Sequence, residues 1–298
     1  MKLEIKDIRK SFSNKEILHG ISFEINSGKA MGFLGRNGAG KTTTFRCLMD
    51  VFRQDSGQFL LDGQPLDIKK HKIGYLPEER GLYGKASVLD QLVYFAQLRG
   101  LTHQEAKQNA QYWIEQLGLT DYTNKAADTL SKGNQQKVQI AQALVHNPDI
   151  LVLDEPFSGL DPVNSQLFKD IIKQQVSQNK VVIFSSHQMA YVEEMCDDVT
   201  LLNQGSVVLS GDLKQIKQKF GNNRWSIEVD SNSQQRVYET LSQMYEVQRH
   251  DDKLIVTLSQ SMRANELVEH VLQHCETIVQ FGQFVPTLHE IFVESVGK

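Results

Sequence analysis

The chain of 298 residues has 40% hydrophobic and 23% charged residues, which excludes a disordered or collagen-like protein. Its length predicts roughly two domains. The net charge of −4 argues against a globally basic surface, so we expect no nucleic-acid partner. No apolar run approaches the roughly 20 residues that span a bilayer, so any membrane role requires a separate membrane partner.

The N-terminal part of the chain predicts strands and then a helix. Strands are expected over residues 2–8 and 17–25, where polar and apolar residues alternate, and over the apolar run 30–34. A glycine-rich loop follows the third strand. A helix is expected next, from about Lys41 to Met49.

Farther along the chain, helices and strands alternate. Thr102 and Glu105 have the spacing of a capping box, which predicts the start of a helix that ends near Gly118. A second helix is expected to begin at Asp161-Pro162, and the strand 181–184 follows it. This alternation predicts a parallel sheet with helices on its faces.

The composition changes at the polar stretch 214–223, which we interpret as a domain boundary. Further strands are expected at 225–229, 246–249, 254–258 and 277–280, and helices at 233–244 and 261–274. The sequence therefore predicts a large domain over 1–213 and a small α+β accessory domain over 222–298.

The glycine-rich loop of residues 35–42 has the sequence pattern G-x-x-x-x-G-K-[ST] of a phosphate-binding loop. Its glycines allow backbone N–H groups to surround an anion. Lys41 supplies a positive charge for the phosphates, and the Thr42 hydroxyl is a ligand suited to Mg²⁺. The helix that follows points the positive, N-terminal end of its dipole at the phosphates.

Two acidic residues follow a second apolar strand. Asp154 and Glu155 come directly after the run Ile150–Leu153. A carboxylate at this position can hold Mg²⁺, and its neighbour can polarise an attacking water. Without the phosphate loop, a solvated acidic pair at a strand end would be the favoured interpretation.

Three shorter motifs are weaker signals. The stretch 130–138 opens a helix, and Ser131 alone would be interpreted only as its N-cap. Residues 158–161 form a loop after the acidic pair. His187 follows the predicted strand 181–184 and two serines, a position from which a histidine can reach a phosphate.

These five motifs, in their order along the chain, resemble those of ATP-binding cassette (ABC) ATPases over roughly the first 210 residues. The resemblance implies an α/β P-loop NTPase core with an antiparallel β subdomain and a helical subdomain, the latter at about 79–145. The ATP-binding subunits of bacterial sodium and drug exporters are more similar still. They share the motif seen here at Tyr75–Tyr83 and a C-terminal element seen at Pro286–Phe292.

The resemblance implies a role for each matching residue. Glu155 is then the catalytic base, His187 contacts the γ-phosphate, and Asp154 supports Mg²⁺. Phe12 matches the aromatic residue that stacks on adenine, although its spacing fits an apolar strand residue equally well. The residues that match the phosphate loop are Gly35, Asn37, Gly38, Ala39, Gly40, Lys41, Thr42 and Thr43.

The resemblance also implies a site shared between two subunits. Ser131 and Gly133 match the family signature, which binds the γ-phosphate held by the opposite subunit, and Asp161 matches the loop that joins the two sites. The sequence departs from the usual pattern at Lys132, where a glycine is common, and at Glu78, where many relatives have glutamine. Glu78 is included among the expected metal-site residues.

The implied function is to power an ABC transporter with ATP and Mg²⁺ as cofactors. Of the kinds of transporter, the resemblance favours an exporter. The expected partners are an integral membrane permease subunit and a second copy or a paralogous ATPase. The location implied is cytoplasmic and peripheral on the inner face of the membrane. The segment Tyr83–Tyr94 is a candidate docking surface.

Three other classes are weighed against this one. Cassette ATPases that act on ribosomes usually carry two phosphate loops, and this chain has one. Chromosome-maintenance ATPases insert long coiled coils between the loop and the acid, and Lys41 and Asp154 lie too close together for that. A small-molecule kinase would not need the motifs from Ser131 to His187. The first class remains the alternative.

Overall fold

The computed structural model describes residues 1–79, 81–259 and 262–296, and it separates into two compact units. The first unit is Met1–Leu213, and the second begins at Lys214. Arg80 of the exporter-like motif and Ser261 of a predicted helix lie outside the described residues. Within the described ranges, no helix combines the length and apolar character needed to cross a bilayer.

In the described part of the chain, the first unit contains ten strands and six α-helices. The strands are β1 (Lys2–Phe12), β2 (Lys15–Asn26), β3 (Ala30–Leu34), β4 (Ser56–Leu61), β5 (Gln64–Pro65), β6 (Ile73–Leu76), β7 (Ile150–Leu153), β8 (Val181–Ser186), β9 (Asp198–Asn203) and β10 (Ser206–Asp212). The helices are α1 (Lys41–Leu48), α2 (Val88–Leu98), α3 (His103–Gln116), α4 (Lys132–Leu144), α5 (Pro162–Ser177) and α6 (Met189–Met195).

A six-stranded sheet forms the centre of this unit, in the order β10-β9-β3-β8-β7-β6. All neighbouring strands are parallel except β10, which is antiparallel to β9. The strands β3, β7 and β8 are buried along their whole length, as expected for parallel strands that are covered on both faces. The predicted parallel sheet is therefore confirmed.

An antiparallel sheet in the order β2-β1-β4-β5 forms the predicted β subdomain. Its buried side chains share one core with the central sheet and α1. Phe33 of β3 lies between two rings, with centroid distances of 5.1 Å to Phe23 and 5.4 Å to Phe45. This aromatic contact ties the two sheets together directly behind the glycine-rich loop.

The helices α2, α3 and α4 belong to the predicted helical subdomain. Thr102 and Glu105 form both hydrogen bonds of the expected capping box at the start of α3. The helix buries Ala106, Ala110, Trp113 and Ile114 on one face. Gly118 follows its end with a φ of +62°, a conformation that glycine adopts without strain.

The second unit has a sheet of four antiparallel strands in the order β12-β13-β11-β14. In chain order its elements are α7 (Leu213–Phe220), β11 (Arg224–Val229), α8 (Gln234–Leu241), β12 (Glu246–His250), β13 (Lys253–Thr257), α9 (Ala264–Leu272), β14 (Ile278–Gln283) and α10 (Leu288–Val296). The core from β11 to β14 is a βαββαβ unit of the ferredoxin-like type, which confirms the α+β class.

Two helices of this unit were not expected from the sequence. The polar stretch 214–223 is largely helical, because Leu213 and Ile216 bury one side of α7. The helix α10 starts within the predicted element Pro286–Phe292. Thr287 and Glu290 make a reciprocal pair of hydrogen bonds there, which is a local signal for a helix start.

Substitution of a core valine tests the packing of the second unit. Val256 of β13 is fully buried, so Val256→Ala should lower the free energy of unfolding by about 2–3 kcal/mol, from lost burial and the cavity left behind. Hydrogen exchange at the β13 amides measures this change. Val279 of the edge strand β14 is 59% exposed, so the control Val279→Ala should cost about 0.5 kcal/mol or less. Equal effects of the two variants would contradict this core assignment.

Candidate functional site

The glycine-rich loop connects the end of β3 to the start of α1. Gly38 and Gly40 have φ values of +80° and +109°, which side chains rarely allow. The helix α1 has no side-chain cap at its N-terminus, whereas Ser87, Thr102 and Ser131 cap α2, α3 and α4. Its first N–H groups are therefore free of side-chain acceptors and suited to an anion.

Lys41 and Thr42 lie at the first turn of α1, on the side that faces the two acids. The Lys41 ammonium donates a hydrogen bond of 2.8 Å to the carbonyl of Gly35 and lies 3.9 Å from Glu155 Oε1. The Thr42 hydroxyl donates to Glu78 Oε2 at 3.3 Å. The loop thus holds its lysine folded back over its own backbone, within reach of the acidic pair.

Asp154 and Glu155 follow β7 directly, in the position that the sequence predicts. Asp154 is 1% exposed, and its Oδ1 accepts a hydrogen bond of 2.6 Å from the Ser185 hydroxyl. Its Oδ2 is buried and has no hydrogen-bond partner among the described residues. Burial raises the pKa of Asp154, and the Ser185 hydrogen bond opposes this shift. An orphaned carboxylate oxygen in a polar site is suited to a cation.

His187 follows β8 and reaches the neighbouring acid. Its Nδ1 lies 2.8 Å from Glu155 Oε2, so the imidazole and the carboxylate form a pair. Glu155 itself is buried and has a φ of +50°, which is unusual for a residue with a Cβ. The pair brings together two residues that lie 32 positions apart in the chain.

The glycine-rich loop and the two acids line one cavity of about 540 Å³. Of the predicted site residues, its lining contains Phe12, Asn37, Gly38, Gly40, Lys41, Thr42, Thr43, Glu78, Asp154 and Glu155. Gly35 and Ala39 belong to the loop but do not line the cavity. His187 also lies outside the lining and reaches the site through Glu155.

Ser131, Gly133 and Asp161 are not part of this lining. Ser131 caps α4 by accepting from the Asn134 N–H at 3.3 Å, and Asp161 caps α5. A Cβ placed on Gly133 would lie 3.7 Å from the Gly159 carbonyl, so the start of α4 faces the loop before Asp161. The predicted residues therefore form two separate groups within one chain.

Phe12 ends β1 at the rim of the cavity. Its ring is 40% exposed and packs edge-on against Phe52, with centroids 5.2 Å apart. The Lys10 ammonium lies 5.3 Å from the ring centroid. An open aromatic ring held from its edge is suited to stacking with a flat ligand.

Sequence reasoning missed three contributors to this site. Lys15 and Ile17 of β2 line the cavity beside Phe12, and no local motif marks them. Ser185 precedes His187 in a recognised motif, but its bond to Asp154 depends on the pairing of β7 with β8. For Ser185, the signal in the sequence is a small polar residue at the end of an apolar strand. The structure places that strand next to the strand that precedes the acids.

The comparisons with known proteins agree with this geometry. Residues 18–158 match the family described as "ABC transporter". An ABC transporter ATP-binding protein of Bacillus subtilis strain 168, YhaQ, is 39% identical over 99% of this chain and 98% of its own length. This chain belongs to the ABC transporter ATP-binding proteins. It is an ABC ATPase that binds ATP, as its motifs predict.

Further relatives extend the match to the second unit and to solved structures. Residues 211–296 match the C-terminal domain of DrrA1-3-like ATP-binding proteins. The lipopolysaccharide export system ATP-binding protein LptB of Haemophilus influenzae is 30% identical over 72% of this chain and 92% of its own. A dimeric post-hydrolysis structure of the cassette MJ0796 with ADP and Pi shares the fold. Its TM-score is 0.65 at 21% identity, covering 71% of this chain and 98% of that one.

The proposed adenine contact of Phe12 predicts a selective loss of affinity. Phe12→Ala should weaken ATP binding by about 1–3 kcal/mol, because the stacking surface is lost. Calorimetric titration with ATP and with inorganic tripolyphosphate measures it. Tripolyphosphate has no base, so its affinity should not change. Phe12→Tyr keeps the ring and serves as the control. Equal losses for both ligands would show that Phe12 supports the loop rather than adenine.

Proposed function

We propose that this chain is the ATP-hydrolysing subunit that powers an ABC exporter through ATP-driven closure of a dimer. The observation that carries the proposal is the single cavity that joins the phosphate loop to Asp154 and Glu155. ATP would place its adenine on Phe12 and its phosphates along the loop. Lys41 would then move from the Gly35 carbonyl to the phosphate oxygens, which compete for the same ammonium.

The residues at the loop fit a Mg²⁺ ion that arrives with the nucleotide. Asp154 presents an unpartnered carboxylate oxygen, and the Thr42 hydroxyl and Glu78 lie beside it in the cavity. Within the described ranges, no three His, Cys, Asp or Glu side chains are arranged to hold a metal unaided. This fits Mg²⁺, which typically takes one or two carboxylates together with phosphate oxygens. When bound, the ion would neutralise charge on the phosphates.

Glu155 would act as general base. Its carboxylate would accept a proton from a water molecule as the water oxygen bonds to the γ-phosphorus. The bond from that phosphorus to the β–γ bridging oxygen breaks, and ADP leaves with the electron pair. His187 would hold the Glu155 carboxylate by their 2.8 Å contact and face the γ-phosphate. Lys41 would offset the negative charge that develops there.

A second subunit would complete each site. Ser131 and Gly133 lie outside the cavity of their own chain, beside the loop before Asp161. The Ser131 hydroxyl caps the N-terminus of α4, and both would meet the γ-phosphate held by a partner. ATP would then favour the closed dimer because it contacts both subunits only in that state. The dimeric structure of MJ0796 supports this arrangement.

The partner that we propose is an integral membrane permease, with this chain on the cytoplasmic face of the membrane. Export as the direction draws support from the name of LptB and from the exporter-like motif at Tyr75–Tyr83. Tyr83 and Tyr94 are exposed and in edge-on contact, at a centroid distance of 6.1 Å. This aromatic pair is the proposed contact with the permease. The matching relatives do not favour the alternative, action on a ribosome.

Loss of the general base should stop hydrolysis while leaving binding intact. Glu155→Gln should lower kcat by about 100-fold or more, because an amide cannot accept the proton. ATP affinity should stay near the native value, and ATP should now hold the dimer long enough for size-exclusion chromatography to detect it. The control Glu115→Gln changes an exposed glutamate of α3 and should hydrolyse ATP normally. Native turnover in Glu155→Gln would remove Glu155 as the base.

The same variant tests the partner. Tagged Glu155→Gln should retain its complex when purified with ATP from detergent-solubilised native membranes. Mass spectrometry should then find an integral membrane protein in stoichiometric amount. Ribosomal proteins in its place would favour the alternative, and recovery of this chain alone would contradict both proposed assemblies.

A further inference from the structure

Ser185 occupies a fully buried position at the end of β8. Its side chain has no exposed surface, although serine is usually found at protein surfaces. The parallel pairing of β7 with β8 places Leu153 opposite Phe184, so Ser185 lies beside the residues that follow β7. A hydroxyl buried this deeply is stable only where its hydrogen bonds are made.

Both hydrogen bonds of Ser185 go to the acidic pair. Its hydroxyl donates to Asp154 Oδ1 at 2.6 Å and accepts from the Glu155 backbone N–H at 2.8 Å. A carboxylate can only accept and an N–H can only donate, so the direction of both bonds is fixed. One side chain thus binds two consecutive residues, 30 and 31 positions away in the chain.

The first bond determines how Asp154 presents its charge. With Oδ1 occupied by the hydroxyl, the oxygen without a partner is Oδ2, which is the one available to a cation. A carboxylate that can rotate would share either oxygen with its surroundings. Fixing one oxygen therefore orients the other, as second-shell hydrogen bonds do around metal ligands.

The second bond acts on the backbone of Glu155. That residue has a φ of +50°, a left-handed conformation that must be held by its surroundings. The Ser185 hydroxyl accepts its N–H, and the Ser158 N–H donates to its carbonyl at 3.1 Å. The direction of the Glu155 side chain, and with it the His187 contact, follows from this backbone conformation.

We propose that Ser185 is a positioning residue that fixes Asp154 and Glu155 relative to one another, so that metal binding and proton abstraction are set by one hydroxyl. This inference rests on the proposed function, because it assigns Asp154 to the metal and Glu155 to the water. It predicts that loss of the hydroxyl weakens both functions together while leaving the phosphate loop intact.

Ser185→Ala tests the inference. The half-saturating concentration of Mg²⁺ for binding of a non-hydrolysable ATP analogue should rise, and kcat at saturating Mg²⁺ should fall, each by about 10-fold to 100-fold. Nucleotide affinity in EDTA should not change, since the loop residues are untouched. Calorimetric titration measures the affinities, and phosphate release measures kcat.

Two further variants separate positioning from general damage to the fold. Ser185→Thr keeps the hydroxyl on a residue that favours strands, so it should recover most of the native Mg²⁺ dependence and kcat. Ser165 is also buried, at 2% exposure, but its hydroxyl has no partner among the described residues. Ser165→Ala should therefore match the native protein in both measurements.

The outcomes distinguish this inference from the proposed function. Native Mg²⁺ dependence and kcat in a folded Ser185→Ala protein would overturn the positioning role. A fall in kcat without any change in Mg²⁺ dependence would also overturn it, because the two functions would then be separate. If Ser185→Ala does not fold, weak Mg²⁺ binding in folded Ser185→Thr would count against the inference. A native chain that hydrolyses no ATP would instead contradict the proposed function.

Discussion

The parallel pairing of β3, β8 and β7 is the constraint on which the site depends. Leu34 lies opposite Ser186, and Leu153 lies opposite Phe184, so the three strands end at one edge of the sheet. Neighbouring strands are about 4.8 Å apart, which is within reach of side chains. Lys41 after β3, His187 after β8 and Glu155 after β7 therefore meet, although the chain separates them widely.

This constraint explains how much the sequence could predict. The phosphate loop and the acids after β7 are local patterns, and the spacing of apolar residues was enough to place both at strand ends. The role of Ser185 depends instead on which strands are neighbours and in what register, and no window of sequence contains that information. Lys15 and Ile17 reach the cavity for a similar reason, because β2 belongs to the other sheet. The helix α10 was also not predicted, but for a different reason. Its local start signal, the spacing of Thr287 and Glu290, is present in the sequence and was not used.

The charges around the cavity connect its geometry to its ligand. Three acids, Glu78, Asp154 and Glu155, line it together with the two lysines Lys15 and Lys41, so the lining has a formal charge of −1 (two minus three). A polyphosphate added to such a site would be repelled unless a cation came with it. The phosphate loop counters this repulsion through neutral N–H groups, whose dipoles attract anions without adding charge. A cation shared between the acids and the phosphates would reduce the remaining repulsion, so the orientation of the acids affects how well the cation is held.

The second unit has a hydrophobic core of its own. This core is formed by the sheet and helices of that unit alone and includes Ile227, Val256 and Leu267. The unit is therefore stabilised by burial of its own apolar side chains. A ferredoxin-like arrangement serves many functions, and the fold by itself assigns none. Because the apolar faces of β11, α8 and α9 are used internally, whatever this unit recognises must meet its edge strands, its loops or the outer faces of its helices. Val279 and Val285 lie on that surface, with 59% and 64% exposure, whereas Val237 and Val256 are fully buried in the core.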